Sequence, residues 1–291
     1  MSSAKPSILL QLDCDPQPSV FDAVVAVDAG VDHVFRHGGM TPAAVRDLVH
    51  GLLFTRGGAD LARSAVFIGG SDVSIAEALM TAVKAVFFAG FRVSVLFDAN
   101  GANTTAAAAV LAAEEGMGGG GSLQGVSSAV LGATGPVGQR VARLLARSGA
   151  TVKVGSRRID RARATAAALA EAVGGPFSPF GTDDLASALE GVSVVIAAGA
   201  PGVTLLPESV RAGLSHLRVA IDLNAVPPPG IEGVKAADKG AERGAIRVWG
   251  ALGVGGTKMK IHKKALQELF TSNDKVLDAE EVLDIGRSLT R

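Results

Sequence analysis

Short apolar runs alternate with segments in which apolar residues recur every three or four positions, and the alternation continues along almost the whole chain. A run of four to six apolar residues between turn signals reads as a buried strand, and a 3.6-residue period reads as a helix laid on a sheet. The pattern therefore predicts a mostly parallel α/β architecture. Strands are expected at 7–12, 65–68 and 93–97, with helices at 19–28, 42–51, 74–88 and 104–115. Pro42 after Thr41 suits a helix start, since a first turn leaves its N–H groups unpaired in any case. The glycine run at 118–121 breaks every pattern and is expected to be a flexible link. Strands resume at 126–131, 151–154, 192–197, 218–222 and 245–248, and helical patterns close the chain at 258–270 and 278–289.

Directly after the strand at 126–131 stands Gly132-Ala133-Thr134-Gly135-Pro136-Val137-Gly138. A strand that turns sharply into a helix, a backbone that approaches a pyrophosphate and a helix that packs tightly on its strand each exclude a side chain, and the three glycines fit those tasks. The helix that follows carries Val141, Leu144 and Leu145 on one face, ends near Gly149, and points its free N-terminal N–H groups at phosphate. The next strand lacks the carboxylate that would bond a ribose 2′-hydroxyl. Ser156, Arg157 and Arg158 stand there instead, and a guanidinium binds a 2′-phosphate that a carboxylate would repel. NADP is expected over NAD, with NAD possibly tolerated. Strand, glycines, helix, strand and basic pair in register make a Rossmann-type domain. The expected organisation is an N-terminal α/β substrate domain over 1–124 and a Rossmann-type NADP-binding domain over 125–257, joined at an interdomain cleft. The C-terminal helices, 258–291, are expected to return to the first domain.

Composition narrows the remaining classes. With 28 basic and 28 acidic residues, no nucleic-acid footprint or anionic-membrane patch is implied. The single cysteine, Cys14, has no internal disulfide partner and fits a reducing compartment. The five histidines show no paired ligand spacing, so no metal site is expected. The apolar run 8–12 is too short for a signal peptide or a membrane span, which makes a cytoplasmic location the default.

In open α/β sheets ligands lie beyond the carboxyl ends of the strands. Those positions hold Asp13-Cys-Asp and Pro18-Ser-Val-Phe-Asp22 after the first strand, and Asp98-Ala-Asn100-Gly-Ala-Asn103-Thr104-Thr105 after the third. In the second domain they hold Ala198-Gly199, Asp222-Leu-Asn224-Ala225, and Gly250-Ala-Leu-Gly253-Val-Gly-Gly256 leading into Lys258 and Lys260. Ser19, Asp22 and Thr104 also suit helix caps, and the lysines also suit a solvated stripe.

Taken together, these segments resemble the bacterial NAD(P)-dependent methylene-tetrahydromethanopterin dehydrogenases over nearly the whole chain. The resemblance implies hydride removal from the methylene bridge of a reduced pterin carrier during formaldehyde oxidation. The cation that remains is delocalised over two nitrogens, so no nucleophile or metal is required. It also implies Asp22 and Lys258 as the catalytic pair, with Asp22 stabilising positive charge and Lys258 bonding a pterin carbonyl or Asp22. Asp13, Asp98, Asn100, Asn103, Thr104 and Lys260 would hold the pterin. Gly132, Thr134, Gly135, Pro136, Val137, Gly138, Ser156, Arg157, Arg158, Ala198, Gly199, Asn224 and Gly253 would hold the nucleotide, with Gly199 and Asn224 near the nicotinamide. A homo-oligomer is implied as well. The Tyr-x-x-x-Lys pair of the related folate cyclohydrolases has no counterpart, because the chain has no tyrosine. Three other readings stay open: a methylene-tetrahydrofolate dehydrogenase, a shikimate-dehydrogenase-like NADP reductase and a nonenzymatic NADP-sensing module.

Overall fold

The apolar runs become strands of two sheets, each with helices that bury its faces. The computed structural model describes residues 5–118 and 122–290. The first four residues and most of the expected glycine link, 119–121, lie outside the described residues. Two units form, residues 1–104 with 259–285 and residues 105–258 with 286–291.

The first unit runs β1 (Ile8–Asp13), α1 (Val20–Asp28), β2 (His33–His37), α2 (Val45–Thr55), β3 (Ser64–Gly69), α3 (Val73–Ala85) and β4 (Ser94–Phe97). The chain continues through α4 (Ala102–Met117) into the second unit. There it forms β5 (Ser127–Leu131), α5 (Pro136–Arg147), β6 (Thr151–Ser156), α6 (Ile159–Val173), β7 (Phe177–Gly181), α7 (Leu185–Ala188), β8 (Val194–Ala197), α8 (Glu208–Arg211), β9 (Val219–Asp222), β10 (Lys239–Arg243) and β11 (Ile246–Trp249). It closes with α9 (Ala251–Glu268), β12 (Val276–Leu277) and α10 (Ala279–Ser288). The boundary between the units falls inside α4, α9 and α10. The sequence pattern had suggested the glycine run and residue 257, because a continuous helix carries no composition break where its packing partners change.

The first sheet has the order β2-β1-β3-β4-β12, all parallel. One face of it is closed by α2 and α3, where Leu10, Leu12, Val66, Ile68, Val95 and Phe97 pack with Val49, Leu53, Leu79 and Val83. The second sheet has the order β10-β11-β9-β8-β5-β6-β7, parallel except for the antiparallel β10 at its edge. Renumbered from β5, its parallel strands follow the 3-2-1-4-5-6 order of a dinucleotide fold. Helix starts are fixed locally. Ser19 Oγ accepts the Asp22 N–H at the head of α1, and Asp72 Oδ1 accepts the Ile75 N–H at the head of α3. Among the described residues no helix is long and apolar enough to cross a membrane.

Candidate active site

The second sheet reverses its strand order between β5 and β8, and at such a switch point the helices leave in opposite directions and open a crevice. Gly132 follows β5 there with φ +72°. A Cβ on it would lie 2.6 Å from Gly199 Cα, so the turn after β8 reaches the turn after β5 only because Gly132 lacks a side chain, while a Cβ on Gly199 would meet Leu205 Cδ1 at 2.5 Å. A Cβ on Gly138 would lie 2.6 Å from Gly132 O and 2.7 Å from Ala133 Cα, which presses α5 onto its own turn. Gly135 differs. Its nearest neighbour would be 3.7 Å away, an ordinary contact, so a Cβ would be tolerated in front of the first turn of α5, where Pro136, Val137 and Gly138 stand. Gln139 Nε2 fixes the turn by donating to Thr134 O at 2.9 Å. This cradle of bare backbone before a helix N-terminus fits a pyrophosphate.

The C-terminal ends of the neighbouring strands align with it: Leu131 pairs with Gly155 and with Ala197, and Ala197 pairs with Asp222. Ser156 is nearly buried, and its Oγ accepts the Arg158 N–H at 3.3 Å. Arg158 turns to Asp160, donating from Nη2 at 2.7 Å and Nε at 3.2 Å. That pairing raises the Arg158 pKa and lowers the Asp160 pKa, the side-chain hydrogen bond being the main cause for each. Arg157 is exposed. Asn224 uses its amide locally, donating to Pro228 O at 2.9 Å and accepting from Val226 N. Asp222, which stands in a strand-end segment noted in the sequence but was given no role, is buried. Its two oxygens accept the N–H groups of Asn224 and Ile231 at 3.0 and 3.1 Å, and burial pushes its pKa up against those bonds. Gly253 is buried in α9, where a Cβ would meet Asp238 O at 2.0 Å, so it lets the helix approach the backbone of that loop.

The first sheet reverses its order between β1 and β3. Asp13 ends β1 fully buried, and its carboxylate accepts the N–H groups of Asp15 at 2.9 Å and Ser19 at 3.0 Å. Gln11 Nε2 donates to Ser19 O at 3.2 Å. Ser19 is thus held through its N–H, its carbonyl and its hydroxyl, and it fixes the start of the helix that carries Asp22. Asp22 Oδ2 lies over the end of β3, 3.7 Å from where a Cβ on Gly69 would be. Gln11 was missed because a lone amide in an apolar strand resembles an exposed strand position. Asp13, Cys14 and Asp15 bring ligand atoms within 4.8 Å of one another. The carboxylates, however, already serve the chain, Asp15 by accepting the N–H and hydroxyl of Ser71. Burial raises the Cys14 thiol pKa.

After β4, Asp98 is buried and accepts the N–H groups of Asn103 and Thr104 at 2.9 and 3.0 Å and the Thr104 hydroxyl at 2.6 Å. Asn103 is also buried, donating to Phe97 O and Asp278 Oδ1. These three therefore organise the entry into α4, with no exposed polar atom turned to a ligand. Asn100 is exposed, in the left-handed region at φ +54°, with its N–H fixed on Gly70 O at 2.7 Å. On α9, Lys258 is half-buried and belongs to the second unit, whereas Lys260 is exposed and belongs to the first. Two turns of sequence that read as a glycine loop before Lys258 are helical from Ala251. His262, further along α9, is buried and stacks on Phe67 of β3 at 5.7 Å between ring centroids.

Residues 20–100 match the family described as methylene-tetrahydromethanopterin dehydrogenase, N-terminal, and residues 132–273 match one described as NAD(P)H-binding. The chain is 42% identical to the bifunctional protein MdtA of Methylorubrum extorquens over 285 residues, covering 97% of this chain and 98% of that protein. It is 30% identical to the NAD(P)-dependent methylenetetrahydromethanopterin dehydrogenase of the same organism, covering 95% and 94%. Among solved structures, quinate dehydrogenase from Corynebacterium glutamicum in complex with NAD superposes with a TM-score of 0.55 at 18% identity, covering 98% of this chain and 100% of that one, a likeness of fold alone.

Proposed function

The chain belongs to the methylene-tetrahydromethanopterin dehydrogenase family, and from that premise we propose that it oxidises methylene-tetrahydromethanopterin to the methenyl form with NADP, in the cytoplasm and as a homo-oligomer. Methylene-tetrahydrofolate is the secondary substrate of this reading. The observation that carries the hydride chemistry is the glycine cradle at the β5–β8 switch point, with Arg157 at the end of β6 where an NAD enzyme carries an acid.

Bound NADP supplies the hydride acceptor. Gly135 would admit the pyrophosphate to bare backbone, Gly132 and Gly138 let the turn close tightly behind it, and Thr134, Pro136 and Val137 shape the turn. Arg157, assisted by Ser156 and Arg158, holds the 2′-phosphate. Ala198, Gly199 and Asn224 flank the nicotinamide, and Gly253 seats the start of α9. On the substrate, the bridging C–H bond breaks with its electron pair, and the cation left behind is shared by the two flanking nitrogens. No proton has to move. Asp22 stabilises that cation and Lys258 bonds the pterin carbonyl. Asn100 and Lys260 contact the pterin, while Asp13, Asp98, Asn103 and Thr104 act through the loops they hold.

NADPH formation from methylene-tetrahydromethanopterin and methylene-tetrahydrofolate, each also tested with NAD, checks the reading. The highest kcat/KM is expected for the methanopterin carrier with NADP. NADPH formation from shikimate alone, or nucleotide binding with no reduced-pterin binding, would overturn it.

A further inference from the structure

We propose that the cavity at the start of β4 is a binding site for a small aromatic acid, a flat apolar ring system carrying a carboxylate, separate from the nucleotide and pterin sites. The site stands whichever carrier the enzyme oxidises.

The cavity belongs wholly to the first unit and has a volume of about 320 Å³. That is the small end of ligand sites, which are concave, mostly apolar and carry a few polar groups that fix orientation. Its apolar wall is Phe87, Phe88, Val93 and Val276. Val93 is part of the core and Phe87 packs against it, whereas Phe88 and Val276 are 43% and 38% exposed. Such a wall suits the face or edge of a ring.

Lys84, in the last turn of α3, and Arg92, just before β4, bring two cations to the same cavity. Among the described residues neither side chain has a hydrogen bond or an ion pair, although the chain carries 28 charges of each sign. The acid on the wall, Asp274, accepts the Ser272 hydroxyl at 2.7 Å instead. Donors without acceptors at a positively charged cavity recognise an anion, and a guanidinium fork beside an ammonium matches a carboxylate. The apolar wall then selects an acid with a ring over a bare inorganic anion.

The cavity is preformed. Phe88 and Phe91 exchange backbone hydrogen bonds at 2.9 and 3.3 Å and stack their rings 5.3 Å apart, which closes a tight turn. Within it Ala89 has φ +49°, a left-handed conformation that a side chain disfavours. Asn273 clamps the turn, its amide donating to Arg92 O at 3.0 Å and to Gly90 O at 3.4 Å, and the Arg92 N–H donates to Gly90 O at 3.1 Å. Strain that the surroundings over-determine clusters at ligand clamps. Here it fixes the backbone that carries Arg92. The four residues of β4 put about 13 Å between this cavity and Asp98 at the strand's other end.

The test uses the full chain saturated with NADP, which keeps anionic probes off Arg157. Calorimetric titrations compare 2-naphthoate, uncharged 2-naphthamide and inorganic phosphate. 2-Naphthoate is expected to bind at one site with a Kd of about 0.1 mM. The amide and phosphate should bind at least about tenfold more weakly, each lacking half of the recognition. Lys84→Gln and Arg92→Gln should each weaken 2-naphthoate about tenfold, with Tm and NADPH formation unchanged because neither side chain has a partner to lose. The amide comparison decides independently should either variant fold badly. Absence of 2-naphthoate binding, equal binding of the amide, or full binding by the double variant would overturn the site. Displacement of 2-naphthoate by tetrahydrofolate would put the probe in the pterin site and overturn it as well.

Discussion

Asp160 holds Arg158 by two hydrogen bonds at 2.7 and 3.2 Å, so the two arginines after β6 are not equivalent. Both are exposed, but Arg158 is paired with Asp160 at its own helix start, whereas Arg157 stands at the strand end. Arg157→Ala is expected to raise KM for NADP about ten- to a hundred-fold while leaving KM for NAD nearly unchanged. Arg158→Ala should have the smaller effect. Parallel KM measurements decide it: equal losses for both nucleotides would mean that no 2′-phosphate contact is made.

The glycines separate in the same way. Gly138→Ala forces a Cβ to within 2.6 Å of Gly132 O, and a backbone atom cannot yield cheaply. A stability loss of about 1–3 kcal/mol is expected. Gly135→Ala makes only ordinary contacts, 3.7 Å to Gly132 O, and should melt like the wild type, yet it fills the cradle before α5 and should weaken nucleotide binding. Thermal unfolding beside calorimetric NADP titration distinguishes the two, and a Gly135→Ala protein that binds NADP normally would remove Gly135 from the site.

Asp22→Asn keeps the size of the side chain and removes its charge. If the carboxylate stabilises the cation, kcat should fall about 10²–10³-fold with little change in Tm. Ser19→Ala should cost about 1 kcal/mol through the lost cap and should lower kcat as well, by releasing the helix start that orients Asp22. Normal kcat in Asp22→Asn would reassign the catalytic role.

Glu268 gives a pH prediction. Hydrogen bonds from Lys264 and Lys275, each at 2.8 Å, hold its carboxyl below its usual 4.5. A carboxylate with a lowered folded-state pKa adds stability above the unfolded value and loses it as pH falls through the folded value. Glu268→Gln should therefore be less stable than wild type by about 1 kcal/mol at neutral pH. The gap should close below pH 4.5. Denaturant melts across that range check it, and a gap independent of pH would mean that the pair contributes packing only.

Much of the fold was legible because buried parallel strands are continuous apolar runs: β1, β3, β4, β5, β6, β8 and β9 all lie within or beside the expected intervals. The strands that escaped, β2, β7, β10 and β12, are at sheet edges or beside them, where exposed positions dilute the apolar signal. The early start of α9 was hidden by Gly253, Gly255 and Gly256, each a poor helix former. Close packing against Ala236 and Asp238 overrides that preference, with the Leu252 N–H bonded to Ala236 O at 2.8 Å. At the candidate site, the glycine turn and basic pair could be read from spacing. The split between ligand-facing and structural polar groups could not. Asp98, Asn103 and Asn100 look alike in sequence, and only the direction of each side chain shows that the first two are spent on the chain itself.

The pairing of β12 with β4 sets an order of assembly on the ribosome. The first unit holds β1 to β4, but the strand that completes its sheet lies beyond the long central segment of the second unit, residues 105–258. Domains generally fold as they emerge, so the sheet of the second unit, complete at β11, can form during synthesis while β4 waits with an open edge. A chain stopped after β11 would carry that edge permanently, together with an uncovered Phe67 that His262 otherwise stacks upon. Truncated products of this protein should therefore aggregate through the part made first.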